Sequence, residues 1–140
     1  GTVVLVGQQR FALANYSWEM PEGGAPLDED PLDGVRRELA EEAGLKAEHW
    51  RPALTMELSN SITDEIAMTW LAWGLSPAPT DPDPTEIITV VRVPFVDLLD
   101  EIGRGTVRDA MTVATAYKTY HMAMTGQLPP ALARALLGRV

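Results

Sequence analysis

The segment from Asp30 to Gly44, "DPLDGVRRELAEEAG", carries the signs of a helix at both of its ends, and it restricts the fold of this 140-residue chain more than any other stretch. Asp30 can accept a hydrogen bond from a first-turn amide, Pro31 suits the first helical position, and Gly44 can take the left-handed conformation that stops a helix. Leu32, Val35, Leu39 and Ala43 follow the three-and-four spacing of a buried stripe. Pro31 to Ala43 is therefore a helix that needs an apolar surface to lie on. Glu38, Glu41 and Glu42, at i, i+3 and i+4, share a different face and repel one another, while Arg37, four residues before Glu41, partly offsets the repulsion. Gly34 inside the helix costs about 1 kcal/mol relative to alanine, which points to close approach of another backbone.

Strand-like runs supply the surface. β-Branched and aromatic residues cluster at Thr2 to Gly7, Tyr16 to Met20, Ala53 to Leu58, Glu65 to Leu75 and Glu86 to Val93. Helical periodicity returns at Phe95 to Ile102, Val107 to Met124 and Pro130 to Leu137. The order is mixed, so the expected class is α+β, with a mixed, partly antiparallel sheet between helices. "SPAPTDPDPTE", Ser76 to Glu86, cannot be a central strand because proline lacks a ladder donor, and it reads as a long loop of the kind that often carries function. With 46% hydrophobic residues, residues 1–140 suffice for one domain with a real core. The chain passes from Gly1 straight into "TVVLVG", as though one or more N-terminal strands lay upstream.

Charge narrows the chemistry. Eleven basic against twenty acidic residues give a net charge of −9, which disfavours a nucleic-acid partner, because phosphate backbones are bound by Lys and Arg. An anionic ligand would need a cation to mediate. The absence of cysteine rules out thiolate metal sites and cysteine nucleophiles and fits a cytoplasmic location. The longest apolar run, "IAMTWLAWGL", is about half the length of a membrane span, so no membrane partner is expected.

Clustered helix glutamates are usually a solvated face. They can also form a hard-cation site, since carboxylates suit magnesium's demand for oxygen ligands and leave places for water and phosphates. The surroundings favour the second reading. From Gly23, five residues lead to Glu29, seven more to Arg37, and then follow Glu38, aliphatic Leu39, one residue, Glu41, Glu42, one residue, Gly44 and aliphatic Leu45. This series resembles the Nudix box at every fixed position. "VVLVGQQRFALANYSWEMPEGG" before it, and "SITDEIAMTWLAWGL" and "EIITVVRVP" after it, are similar to the ADP-ribose pyrophosphatase branch of the Nudix hydrolases, so the likeness runs from roughly residue 2 to residue 100. The chain departs from the branch in lacking a proline in the loop "LSNSITDE" and in lacking extra N-terminal strands that help to form a dimer.

The resemblance implies a Nudix α/β/α sandwich that hydrolyses a nucleoside diphosphate linked to another moiety with Mg²⁺, for which Mn²⁺ can substitute. By position, Glu38 and Glu42 are the leading metal ligands, Glu41 shares the metal or orients a water, and a main-chain carbonyl near Glu22 or Gly23 completes the shell. Gly23, Glu29, Arg37 and Gly44 support the box, with Glu29 and Arg37 holding the glycine loop to the helix. The branch takes its general base from a later loop, which points to Glu86, with Asp81 and Asp83 behind it. Arg10, Glu19 and Trp18 are candidates for phosphate, sugar and base contacts, although a surface ion pair explains Arg10 and Glu19 equally well and an aromatic residue at a strand position, such as Trp18, is more often core. Phe11 and Tyr16 are further flat faces of the same kind.

Asp64 and Glu65 read first as turn residues, and Trp50, Trp70 and Trp73 as packing. His49 and His121 lack the spacing of a zinc site or triad. Ala110, Met111, Ala114, Tyr117 and Met124 form a stripe suited to the core or to a dimer contact, and a homodimer is implied by the family. Two other readings remain open: a Nudix-fold module that binds a nucleotide or nucleotide sugar without turnover, and a hydrolase of another nucleotide such as a diadenosine polyphosphate.

Overall fold

The computed structural model of the chain describes residues 1–10, 15–79 and 88–138. Strand β1 (Thr2–Arg10) pairs antiparallel on one side with β2 (Asn15–Glu19) and on the other with β5 (Thr89–Pro94), so it is the centre of a three-stranded sheet. Its central place explains why Leu5 and Val6 are buried. Strands β3 (Leu45–Glu57) and β4 (Ile66–Pro77) form a separate antiparallel hairpin. The class is α+β as expected, but the described strands pair antiparallel throughout, in two sheets rather than in one mixed sheet.

Helix α1 (Pro31–Ala43) has the bounds that its end signals set. Asp30 accepts a hydrogen bond from the Leu32 amide at 2.9 Å, and Gly44 ends the helix at φ 66°. Leu39 is buried, and the helix packs on β3. Three further helices follow, α2 (Phe95–Arg104), α3 (Ala110–Met124) and α4 (Pro130–Leu136). Phe95, 1% exposed, joins Leu5, Leu98, Val107, Met122 and Leu136 in the core between the three-stranded sheet and these helices. Burying such a ring contributes about 1.5–3 kcal/mol. At the end of α2, hydrogen bonding from Thr106 and then the nearby Arg104 hold the exposed Glu101 carboxyl below its ordinary value of 4.5.

Three details differ from the sequence reading. β3 starts at Leu45 rather than near Ala53, and its ladder shifts register between Pro52 and Leu54. A proline there removes one donor, and a bulge accommodates the loss. The core face of α3 consists of Thr112, Thr115, Ala116, Thr119, Met122 and Ala123, whereas Tyr117 and Met124 are about half exposed, so the expected stripe is not the core face. Threonine is tolerated in this interior where its hydroxyl bonds to the backbone one turn earlier, as that of Thr119 does to the Thr115 carbonyl at 2.7 Å. Finally, what lies close to Gly34 is side chain rather than backbone: a Cβ there would stand 2.9 Å from Glu29 Oε1 and 3.0 Å from the Ala25 Cβ.

Candidate functional site

The end of β2 runs into an irregular segment, Met20 to Glu29, that lies along α1. Helical spacing puts Glu38 and Glu42 one turn apart on the side that faces it. The Glu22 amide donates to Glu42 Oε2 at 3.0 Å. A Cβ on Gly23 would collide with the Glu38 carboxyl group, so the glutamate fills the space that a side chain would take. One residue before Glu38, Arg37 Nη2 donates to Glu29 Oε1 at 3.0 Å and to the Gly24 carbonyl at 3.4 Å, and lies 3.6 Å from Glu38 Oε1. One guanidinium thus holds both ends of the glycine loop against the helix. The described ion pairs of Arg37 go to Glu29 and Glu38, so the offset expected against Glu41 is directed elsewhere.

On the other side of the segment stands α3. Carboxylate oxygens of Glu19, Glu22 and Asp109 all lie within 4.8 Å of one another, with Glu19 buried and the other two partly so. Unit charges at that range repel by a few kcal/mol at an effective dielectric constant near 20. Asp109 caps α3, its Oδ2 accepting from the Thr112 amide at 3.1 Å and from the Thr112 hydroxyl at 2.7 Å. That hydroxyl also accepts from the Met20 amide at 2.9 Å and lies 3.5 Å from Glu22 Oε2. Loop, α1 and α3 therefore converge through carboxylates.

The structure brings Glu22, Gly23, Glu29, Arg37, Glu38 and Glu42 together. Glu41 is exposed on α1. Glu19 sits in the acidic group instead of at the open surface. Trp18 is half-buried and meets Tyr16 edge to face, with ring centroids 5.2 Å apart. Arg10 closes β1 opposite Asn15, while Phe11, Glu86, Asp81 and Asp83 lie outside the described residues. His49 is exposed and stacks on Trp73, which Arg51 also approaches. Trp50, Trp70 and Trp73 border a partly open pocket of about 410 Å³ whose wall includes Met20, Pro21 and Thr112.

Asp109 and Thr112 were not singled out from the sequence. The run "DAMT" carries a readable cap signal, aspartate followed three residues later by a bonding threonine. Nothing local reveals that the cap meets residues some ninety positions earlier.

The donor set suits a hard divalent cation. It is made of carboxylate oxygens, the chain has no thiolate, and the Gly23 position leaves its space to a carboxylate. A loop braced to a glutamate-bearing helix, beside antiparallel sheets flanked by helices, marks a protein that gathers carboxylates where a loop meets a helix.

Comparison with known proteins narrows that class. The model of the NUDIX domain matches residues 1–114. The chain is similar to the ADP-ribose pyrophosphatase of Mycobacterium tuberculosis, with 26% identity over 133 residues, which is 93% of this chain and 64% of that protein. Its likeness to the RNA pyrophosphohydrolase of Thioalkalivibrio sulfidiphilus is higher, at 50%, but is confined to 52 residues, 34% of this chain and 30% of that one. The chain thus spans less than two thirds of the length of either relative. The crystal structure of an ADP compounds hydrolase has the same fold, with a TM-score of 0.81 and 19% identity over 91% of this chain and 69% of that one. The chain belongs to the NUDIX domain family, as the spacing of its glycine, glutamates and arginine implies.

Proposed function

We propose that the protein hydrolyses the diphosphate bond of a nucleoside diphosphate sugar such as ADP-ribose, giving a nucleoside monophosphate and a sugar phosphate, with Mg²⁺ or Mn²⁺ as cofactor. The observation that carries this reading is the placement of Glu38 and Glu42 against the Glu22–Gly23 segment. Similarity along nearly the whole chain to an ADP-ribose pyrophosphatase favours a nucleotide sugar, because the RNA pyrophosphohydrolase likeness is confined to a short segment.

In the reaction a water oxygen bonds to one phosphorus and the bridging P–O bond breaks. Its electron pair leaves on the departing phosphate, and a carboxylate takes the water's proton. Negative charge accumulates on oxygens that are already anionic. Glu38 and Glu42, with Glu41 and the backbone at Glu22 to Gly23, would hold the metal, which when bound supplies charge neutralisation at the diphosphate. Arg37 and Glu29 keep the glycine loop in place during the reaction. Glu86 is assigned the proton-accepting role on its sequence position, while Arg10, Glu19 and Trp18 are the proposed substrate contacts.

Purified protein incubated with ADP-ribose, other nucleotide sugars and a diadenosine polyphosphate, with Mg²⁺ or Mn²⁺, should release nucleoside monophosphate measurable by chromatography. Glu42→Gln should lower the rate at least about a hundredfold while keeping the circular dichroism of the parent. Equal rates in a folded variant would remove the metal role of Glu42. Tight nucleotide-sugar binding with no product would identify a binding module instead.

A further inference from the structure

Thr112 lies in the first turn of α3 and is 2% exposed. A hydroxyl has one proton and two lone pairs. One lone pair takes the Met20 N–H at 2.9 Å. The proton goes to Asp109 Oδ2, at 2.7 Å, rather than to Glu22 Oε2, at 3.5 Å. Asp109 Oδ2 also accepts from the Thr112 amide, so the cap that starts α3 fixes the direction of the hydroxyl. Two residues beyond Met20, the Glu22 amide is held by Glu42 from the opposite side. The segment carrying Glu22 and Gly23 is thus suspended between α1 and α3, and the Thr112 hydroxyl is a direct attachment of its backbone to α3.

We propose that Thr112 is a positioning residue for the metal site: through Met20 it sets where the Glu22–Gly23 backbone and the Glu22 carboxylate stand relative to Glu38 and Glu42. The proposal rests on the reading of this site as a divalent-metal centre. Thr112→Val keeps the branched shape and replaces the hydroxyl by a methyl group, leaving the Met20 amide without this acceptor and weakening the hold of α3 on the segment. Thr112→Ser keeps the hydroxyl and loses a methyl group.

The test is Mn²⁺ titration of the whole chain followed by electron paramagnetic resonance of the free ion, alongside the Mn²⁺ dependence of hydrolysis. Thr112→Val should raise the Kd for Mn²⁺ at least fivefold and shift half-maximal activity to correspondingly higher metal, with partial recovery of kcat at saturation. Thr112→Ser should stay within twofold of the parent in both readouts. A role confined to capping α3 would lower the melting temperature without moving the Mn²⁺ affinity. Unchanged affinity in Thr112→Val, or equal shifts in Val and Ser, overturns the proposal. A parent protein that binds no Mn²⁺ overturns the metal-centre reading, and this inference with it. Should Thr112→Val not fold, amide exchange at Met20 in the parent decides: further slowing when Mn²⁺ is added supports the coupling, and an unchanged rate overturns it.

Discussion

A methyl group on residue 23 would land on the Glu38 carboxyl group, yet Gly23 is not among the glycines with positive φ. Its backbone is one that alanine can adopt, so the demand for glycine here is spatial. Gly44, at φ 66°, is the opposite case, where the demand is conformational. Gly23→Ala should therefore fold with a melting temperature near that of the parent, but with Glu38 displaced and hydrolysis reduced at least about tenfold. Steady-state rates and a thermal melt on the same preparation check this. A large loss of stability with activity retained would mean that the loop, and not the glutamate, yields to the new methyl group.

At the scale of the element, α1 was legible because its information is local. Asp30, Pro31 and Gly44 act on amides and carbonyls within a turn of themselves. Replacing Asp30 by alanine removes the acceptor for the Leu32 amide and should cost about 1 kcal/mol, measurable by urea unfolding at unchanged m-value. Where structure depends on partners, the sequence was less informative. The first half of β3, "LKAEHWRP", is polar and contains a proline, and it is a strand because β4 supplies a ladder with a bulge beside that proline. On α3 the reading followed residue size and assigned Tyr117 and Met124 to a common stripe, whereas the helix turns threonines inward, where a cap group satisfies the hydroxyl of Thr112 and a backbone carbonyl that of Thr119. The glutamates of α1 stand in a local spacing that matches the family, and that spacing alone pointed to it. Asp109 has no such spacing, because its nearness to Glu19 and Glu22 is made by the packing of α3 and by nothing in its neighbourhood.

Across the whole molecule, a net charge of −9 coexists with a place where carboxylates are brought closer than their repulsion favours. Among the described residues, no helix is long and apolar enough to cross a membrane. The three-stranded sheet and the β3–β4 hairpin meet through helices: α1 lies on β3, and α3 touches both hairpin strands as well as α2 and α4. The Met20–Glu22 segment is fastened by one bond that spans 20 residues of chain and by another that spans 92. Closing the longer span costs more entropy and waits for α3 to dock. In a refolding experiment, helical signal and the contact with α1 should precede the recovery of catalysis, which should follow the docking of α3. The site would then be a late product of folding, and a nascent chain would remain inactive until its residues near position 112 had left the ribosome.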